Sequence, residues 1–182
     1  MGKQIDVKPK LLILSMLLLS ALHTQASAGG LTAGLLNSSK GFGLSIDYVA
    51  SDIIYNSYNV YADIYGMISG RYSTPGIKAY YLHYNRLASF SYKEASCGLF
   101  LGPGASIGYV RDMGSEDFGT MLSADIALSL RVSFKRNIDL EFGTVAELGF
   151  HAINTANGVQ MGIYNNGLLQ ALQPTLKIMA RF

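Results

Sequence analysis

Charge is scarce in this chain. Of 182 residues only 14% are Asp, Glu, Lys or Arg, while 49% are hydrophobic and the mean hydropathy is +0.24. Soluble domains carry about 25% charged residues, so a lipid-facing surface is expected from the outset. A formal charge of +2 with no run of Lys or Arg argues against nucleic acid as a partner. Cys97 is the single cysteine, which excludes an internal disulfide and a thiolate metal cluster. Three scattered histidines add no metal-ligand spacing, so neither metal nor cofactor is expected. The length suits one domain.

The one long apolar run is too short for a membrane helix. Leu11 to Leu22 reads LLILSMLLLSAL, about 18 Å of helix against a hydrocarbon core of roughly 30 Å. Lys3, Lys8 and Lys10 precede it, and Ala26 and Ala28 follow at the spacing of an A-x-A cleavage site. These features predict a secretory signal peptide over residues 1–28, cleaved after Ala28. Lys3, Lys8, Lys10 and Asp6 leave with it, so residues 29–182 keep 11 basic and 11 acidic side chains of the 14 and 12. The mature chain is neutral.

With no further apolar run of that kind, the hydrophobicity must be distributed differently, and it alternates. From Thr120 to Phe134 the even positions include Leu122, Ile126, Leu128, Leu130 and Val132, whereas the odd ones include Ser123, Asp125, Ser129 and Arg131. Period two is the pattern of a strand. The segment from Ile138 to Ala152 repeats it, with Leu140, Phe142 and Leu148 against Asp139, Glu141 and Glu147. So does the C-terminus, with Leu172, Leu176, Ile178 and Phe182 against Gln173, Lys177 and Arg181.

Earlier segments follow more loosely over 31–36, 42–51, 58–69, 76–86 and 97–109, with the tyrosine-rich 76–86 stretch ambiguous in phase. Along 97–109 one side is nearly all small, and Pro103 must sit at a bulge or an unpaired position. Eight long strands with one continuous apolar face predict an all-β fold over residues 29–182. It is an eight-stranded antiparallel up-and-down transmembrane β-barrel, apolar outside and charged inside. A soluble lipocalin-like barrel has the same alternation with the faces exchanged. Phe42, Tyr58, Tyr109, Phe134, Phe150 and Phe182 fall outward near segment ends, as interfacial aromatic girdles do. With a periplasmic N-terminus, the short 135–137 turn falls inside, and the longer 112–118 and 154–168 connections fall outside.

These segments resemble the small outer-membrane β-barrel proteins of Gram-negative bacteria. The terminal stretch PTLKIMARF is similar to the aromatic-ended signal read by barrel-assembly machinery, carried here by Leu176, Ile178 and Phe182, with Ala180 smaller than usual. More narrowly, GLFLGPGASIGYVRD (98–112), RNIDLEFGTVAELGFH (136–151) and YNNG (164–167) resemble a family of porin-like, outer-membrane-barrel-domain proteins. The resemblance implies residence in the cell outer membrane, as a monomer. The partners it implies are membrane lipid, lipopolysaccharide and the assembly machinery.

The candidate site is the interior charge network of Asp125, Arg131, Asp139, Glu141, Glu147, Lys177 and Arg181. If Phe134 and Ile138 flank a three-residue turn, Arg131 lies opposite Glu141, Ser133 opposite Asp139, and Asp125 opposite Glu147. The last pair needs a cation or a shared proton. Lys177 and Arg181 are placed beside the acidic strand. An eight-stranded interior is only wide enough for side chains, so the expected state is a charge-plugged barrel with a structural, envelope or loop-binding role. A narrow passive pore is the alternative. A lipid-modifying enzyme is a third reading, raised by His83 and His151. His151 is about 13 Å along its strand from Glu147 and neither histidine has a serine placed beside it, so no catalytic residue is assigned. Arg111 and Asp112, at a strand end, are candidates for contact with lipopolysaccharide phosphates.

Overall fold

Alternation along a strand becomes two opposite faces of a sheet, and in this chain the apolar face is the exposed one. A computed structural model describes residues 30–70, 75–112, 117–134, 137–164 and 172–182. The expected signal peptide lies outside these residues. Nine strands are described: β1 (Gly30–Ser38), β2 (Gly41–Ser51), β3 (Ile54–Asp63), β4 (Gly76–Tyr92), β5 (Ala95–Arg111), β6 (Phe118–Phe134), β7 (Ile138–Thr155), β8 (Gly158–Ile163) and β9 (Leu172–Arg181). A single helical turn, α1 (Tyr65–Ile68), follows β3.

Each strand from β1 to β7 pairs antiparallel with the next, and β9 pairs with both β7 and β1. β8 and β9 share the eighth place in the ring. β8 pairs with β7 over Phe150–Thr155, and β9 pairs with it over Ile138–Ala146. The sheet is therefore a closed ring of eight positions, which removes the unpaired edges that neither water nor lipid tolerates well. Connections at 52–53, 93–94 and 135–137 gather at one end with Gly30 and Phe182, here the turn end. Those at 39–40, 64–75 and 112–117 gather at the other, the loop end.

Two sequence expectations change. The third strand ends at Asp63, and Ile64 and Ile68 belong to the α1 region instead; a spacing of four fits a helical turn as well as a strand. Within the stretch expected to be a loop, 154–168, the chain reverses at once and forms β8. Gly158 adopts φ +115 opposite Thr155, and Asn157-Gly158 was the available signal for that turn. Pro103 takes the unpaired one of its two expected places: the β4–β5 ladder lapses there between Leu82–Gly104 and Asn85–Leu101, and the bulge of this pair sits at Leu87.

On the outside, Leu122, Ile126 and Leu128 of β6, Phe142 and Leu148 of β7, and Leu172 and Ile178 of β9 form an apolar belt. The six expected girdle aromatics are all exposed, but Tyr58 stands in the middle of β3 rather than at a strand end, because the strand begins at Ile54. Leu176, Ile178 and Phe182 share this outward face. Among the described residues no helix is long and apolar enough to cross a membrane.

Candidate functional site in the barrel interior

The inward positions bring acids, bases and tyrosines together with little space between them. β6 and β7 pair Arg131 with Glu141, Ser133 with Asp139, and Asp125 with Glu147. The contacts of the side chains do not simply follow the ladder. Arg131 is long enough to pass its neighbour: its guanidinium donates to Asp139 Oδ2 at 2.8 and 3.0 Å, to Asp47 Oδ2 at 3.0 Å and to Thr32 Oγ1 at 3.0 Å. It also lies 4.8 Å over the Tyr55 ring. Arg181 Nε is 3.1 Å from Asp139 Oδ1, so one aspartate stands between two arginines.

Glu141 finds other partners. Lys177, its ladder neighbour on β9, lies 3.0 Å from Oε1, and the Tyr55 hydroxyl donates to Oε2 at 3.0 Å. Lys177 also donates to Ser57 Oγ at 2.8 Å, and Ser57 donates to Asp47 Oδ1 at 2.6 Å. Tyr55 stacks on Tyr84 with ring centroids 4.6 Å apart, and Phe100 meets it edge-on at 4.9 Å. Room for the Tyr84 ring comes from Gly102 on β5, where an added Cβ would stand 2.8 Å from the ring.

Towards the loop end, the Asp125–Glu147 pair meets its cation. Lys78 of β4 ion-pairs with Glu147 and sits over the rings of Tyr61 and Tyr80. Asp125 accepts from Ser123 at 2.7 Å and Ser106 at 3.2 Å. Gln173 donates across to the Tyr61 hydroxyl at 3.0 Å. At the loop end itself, Lys40 donates to the Tyr164 hydroxyl at 2.6 Å, and His151 lies against the Tyr164 ring, with Nε2 3.0 Å from the Val110 carbonyl. Burial pushes the Lys40 ammonium down to about 8, against the opposing pull of Asp63 and Asp112.

Asp112 is buried, with Oδ2 3.6 Å from His151 Nδ1. Of the two residues expected at this strand end, Asp112 is thus turned into the barrel. His83 lies on the outer face, so the two histidines are on opposite sides of the wall. At the turn end the interior opens into a cavity of about 280 Å³, lined by Arg86, Cys97 and Arg181 and floored by Tyr55, Phe100 and Arg131.

All seven charged residues expected in the network are placed inward or at its turn-end rim. Sequence reasoning passed over Asp47, Lys78 and the tyrosines of β3 and β4. Asp47 alternates correctly in β2 but has no charged ladder neighbour, since it faces Thr32 and Ser57. Lys78 lies in a segment with tyrosines on both faces, Tyr80 and Tyr84 inward and Tyr81 outward, which hides the phase. Among the described residues no cluster of His, Cys, Asp and Glu is arranged to hold a metal ion.

No known sequence family matches the chain, and no curated protein does either. Solved structures do. The N-terminal β-barrel domain of OprF from Pseudomonas aeruginosa is similar at a TM-score of 0.54, with 14% identity over 87% of this chain and 100% of that one. A major outer membrane protein from Thermus thermophilus follows at 0.48 and 13%, over 86% of this chain and 100% of that one. Neisserial surface protein A follows at 0.40 and 16%, over 84% of this chain and 93% of that one. The likeness to the OprF domain concerns the fold: this chain is folded as an eight-stranded outer-membrane β-barrel.

Proposed function

We propose that the chain is an integral outer-membrane protein whose barrel is plugged by its own charges, with a structural or loop-binding role in the envelope and no catalytic one. The observation that carries this reading is the set of contacts joining opposite walls, above all Arg131 to Asp47 and Lys177 to Ser57. A lumen crossed by buried, mutually neutralised side chains has no continuous water path. The outward apolar belt supports residence in a bilayer. Membrane lipid, lipopolysaccharide and the assembly machinery are the partners this reading carries. Refolding into planar bilayers tests it: no unitary current is expected, and discrete channel steps would overturn the plug.

The narrow pore remains the second reading, favoured by the cavity at the turn end. For that reading, the floor formed by Tyr55, Phe100 and Arg131 would have to move aside, and substituting Arg131 would raise the conductance.

A further inference from the structure

A polar cluster interrupts the apolar outer surface, near the centre of β4 and towards the turn end of β3. On β4 the large hydrophobics Ile77, Leu87 and Phe90 are exposed, and His83 lies between them, next to the centre of the strand. Its ladder partner on β3 is Asn56. Asn56 Oδ1 accepts hydrogen bonds from the Tyr81 hydroxyl at 2.7 Å and from His83 Nδ1 at 2.8 Å. An amide oxygen can only accept, so the proton of the neutral ring is held on Nδ1 and Nε2 is left as an acceptor. The Asn56 amide nitrogen keeps two donors. Among the described residues neither Asn56 Nδ2 nor His83 Nε2 has a partner. The wall is also short of strand bonding here, because the β4–β5 ladder lapses opposite His83, where Pro103 has no N–H to contribute.

Polar groups left without partners in hydrocarbon carry a desolvation cost. A donor beside an acceptor on one surface is self-complementary across a twofold axis. We infer that the β3–β4 face, at Asn56, Tyr81 and His83, is a docking surface for a second copy of this chain within the bilayer. Asn56 Nδ2 of each copy donates to His83 Nε2 of the other. The exposed rings of Tyr58 and Tyr81, 5.2 Å apart, supply aromatic surface beside the polar contact. This inference rests on the reading that the outer face meets lipid.

The test uses residues 29–182 refolded into phosphatidylcholine vesicles, with copies labelled at the amino terminus by donor or acceptor dyes. The wild type should show energy transfer that resists dilution with lipid. Asn56→Leu and His83→Leu should each weaken association about tenfold, given the modest strength of hydrogen bonds between membrane segments. Both variants should remain folded, as heat-modifiable migration in detergent gels will report. Transfer at the random-mixing level in the wild type restores the monomer expected from the sequence and overturns the proposal, as does undiminished transfer in both variants. Failure of the wild type to insert into vesicles would instead overturn the membrane reading itself.

Discussion

Arg131 and Asp47 touch across the lumen: Nη1 and Oδ2 are 3.0 Å apart, although β6 and β2 stand four places from each other around the ring in either direction. Only a closed and narrow barrel brings such residues within reach. The same two side chains bind Asp139, Thr32 and Ser57, so the contact joins five strands, β1, β2, β3, β6 and β7, rather than two. Buried ion pairs are weak evidence for stability, because desolvation offsets much of their attraction. In the plugged barrel proposed above their part is closure, the paired groups taking volume that water would need.

The plug can be weighed through Glu141. It is 1% exposed and lies between Lys177 and the Tyr55 hydroxyl. Among the described residues, Glu141→Gln leaves Lys177 with Asp47, 3.8 Å away, as its one counter-charge. In a dry interior, removing one partner of such a pair costs about 3–5 kcal/mol, which equilibrium urea unfolding in vesicles will read. A loss near the surface value of about 0–1 kcal/mol, together with measurable conductance, would mean that water fills the lumen.

The outer face makes the opposite demand. Leu128 lies near the middle of β6, exposed between Leu101 and Thr144 of the neighbouring strands. Leu128→Arg should destabilise the barrel by about 2–4 kcal/mol in lipid, the cost of a cation near the bilayer midplane. A neutral result in refolding titrations would mean that this face does not meet hydrocarbon.

Residues 118–155 were the most legible part of the chain. There two long alternating segments flank a short polar turn, and a three-residue turn between Phe134 and Ile138 sets every pairing up to Thr120–Ala152. Alternation alone also separates Arg131 from Leu128. It cannot reveal Arg131 with Asp47, because that contact depends on ring closure and on the reach of one side chain past its ladder neighbour. Nor can it resolve 76–86, where Tyr80 and Tyr81 point to opposite faces with nearly the same chemistry. Strand β8 was missed because residues 154–168, rich in Gly and Asn, look like a loop, and its pairing with β7 places Val159, Met161 and Ile163 on an exposed ribbon with no buried face. The four-residue spacing of Ile64 and Ile68 could not distinguish a strand from a helical turn.

Small residues opposite the interior tyrosines should be intolerant of enlargement. At Gly102 a Cβ would come within 2.8 Å of the Tyr84 ring and 3.0 Å of the His83 carbonyl oxygen. Gly102→Val must therefore displace Tyr84, which stacks on Tyr55 above Arg131. Overpacking of this kind costs about 1–3 kcal/mol. Unfolding titrations should show that loss, and near-ultraviolet circular dichroism should report the disturbed tyrosines. An unchanged tyrosine spectrum would show that the ring does not occupy this place.

The loop end should respond to alkali in a direction that can be worked out. Lys40 lies in the β1–β2 connection, 7% exposed, with its ammonium on the Tyr164 hydroxyl. Burial holds it at about 8 in the folded chain, below its ordinary value of 10.5. Below pH 8 the group is charged in both states, and the folded state bears the cost of burying that charge. Between pH 8 and 10.5 the unfolded chain binds more protons at this site than the folded one, so this group's contribution to stability rises with pH. The full gain across that interval is about 3–4 kcal/mol, each pH unit being worth about 1.4 kcal/mol. Lys40→Met has no proton to lose and should lack it. Unfolding midpoints of the two proteins, compared at pH 7.5 and pH 10, cancel the titration of groups they share. The wild type should gain on Lys40→Met as the pH rises, and a parallel pH dependence would show that Lys40 is solvated at the rim rather than buried against Tyr164.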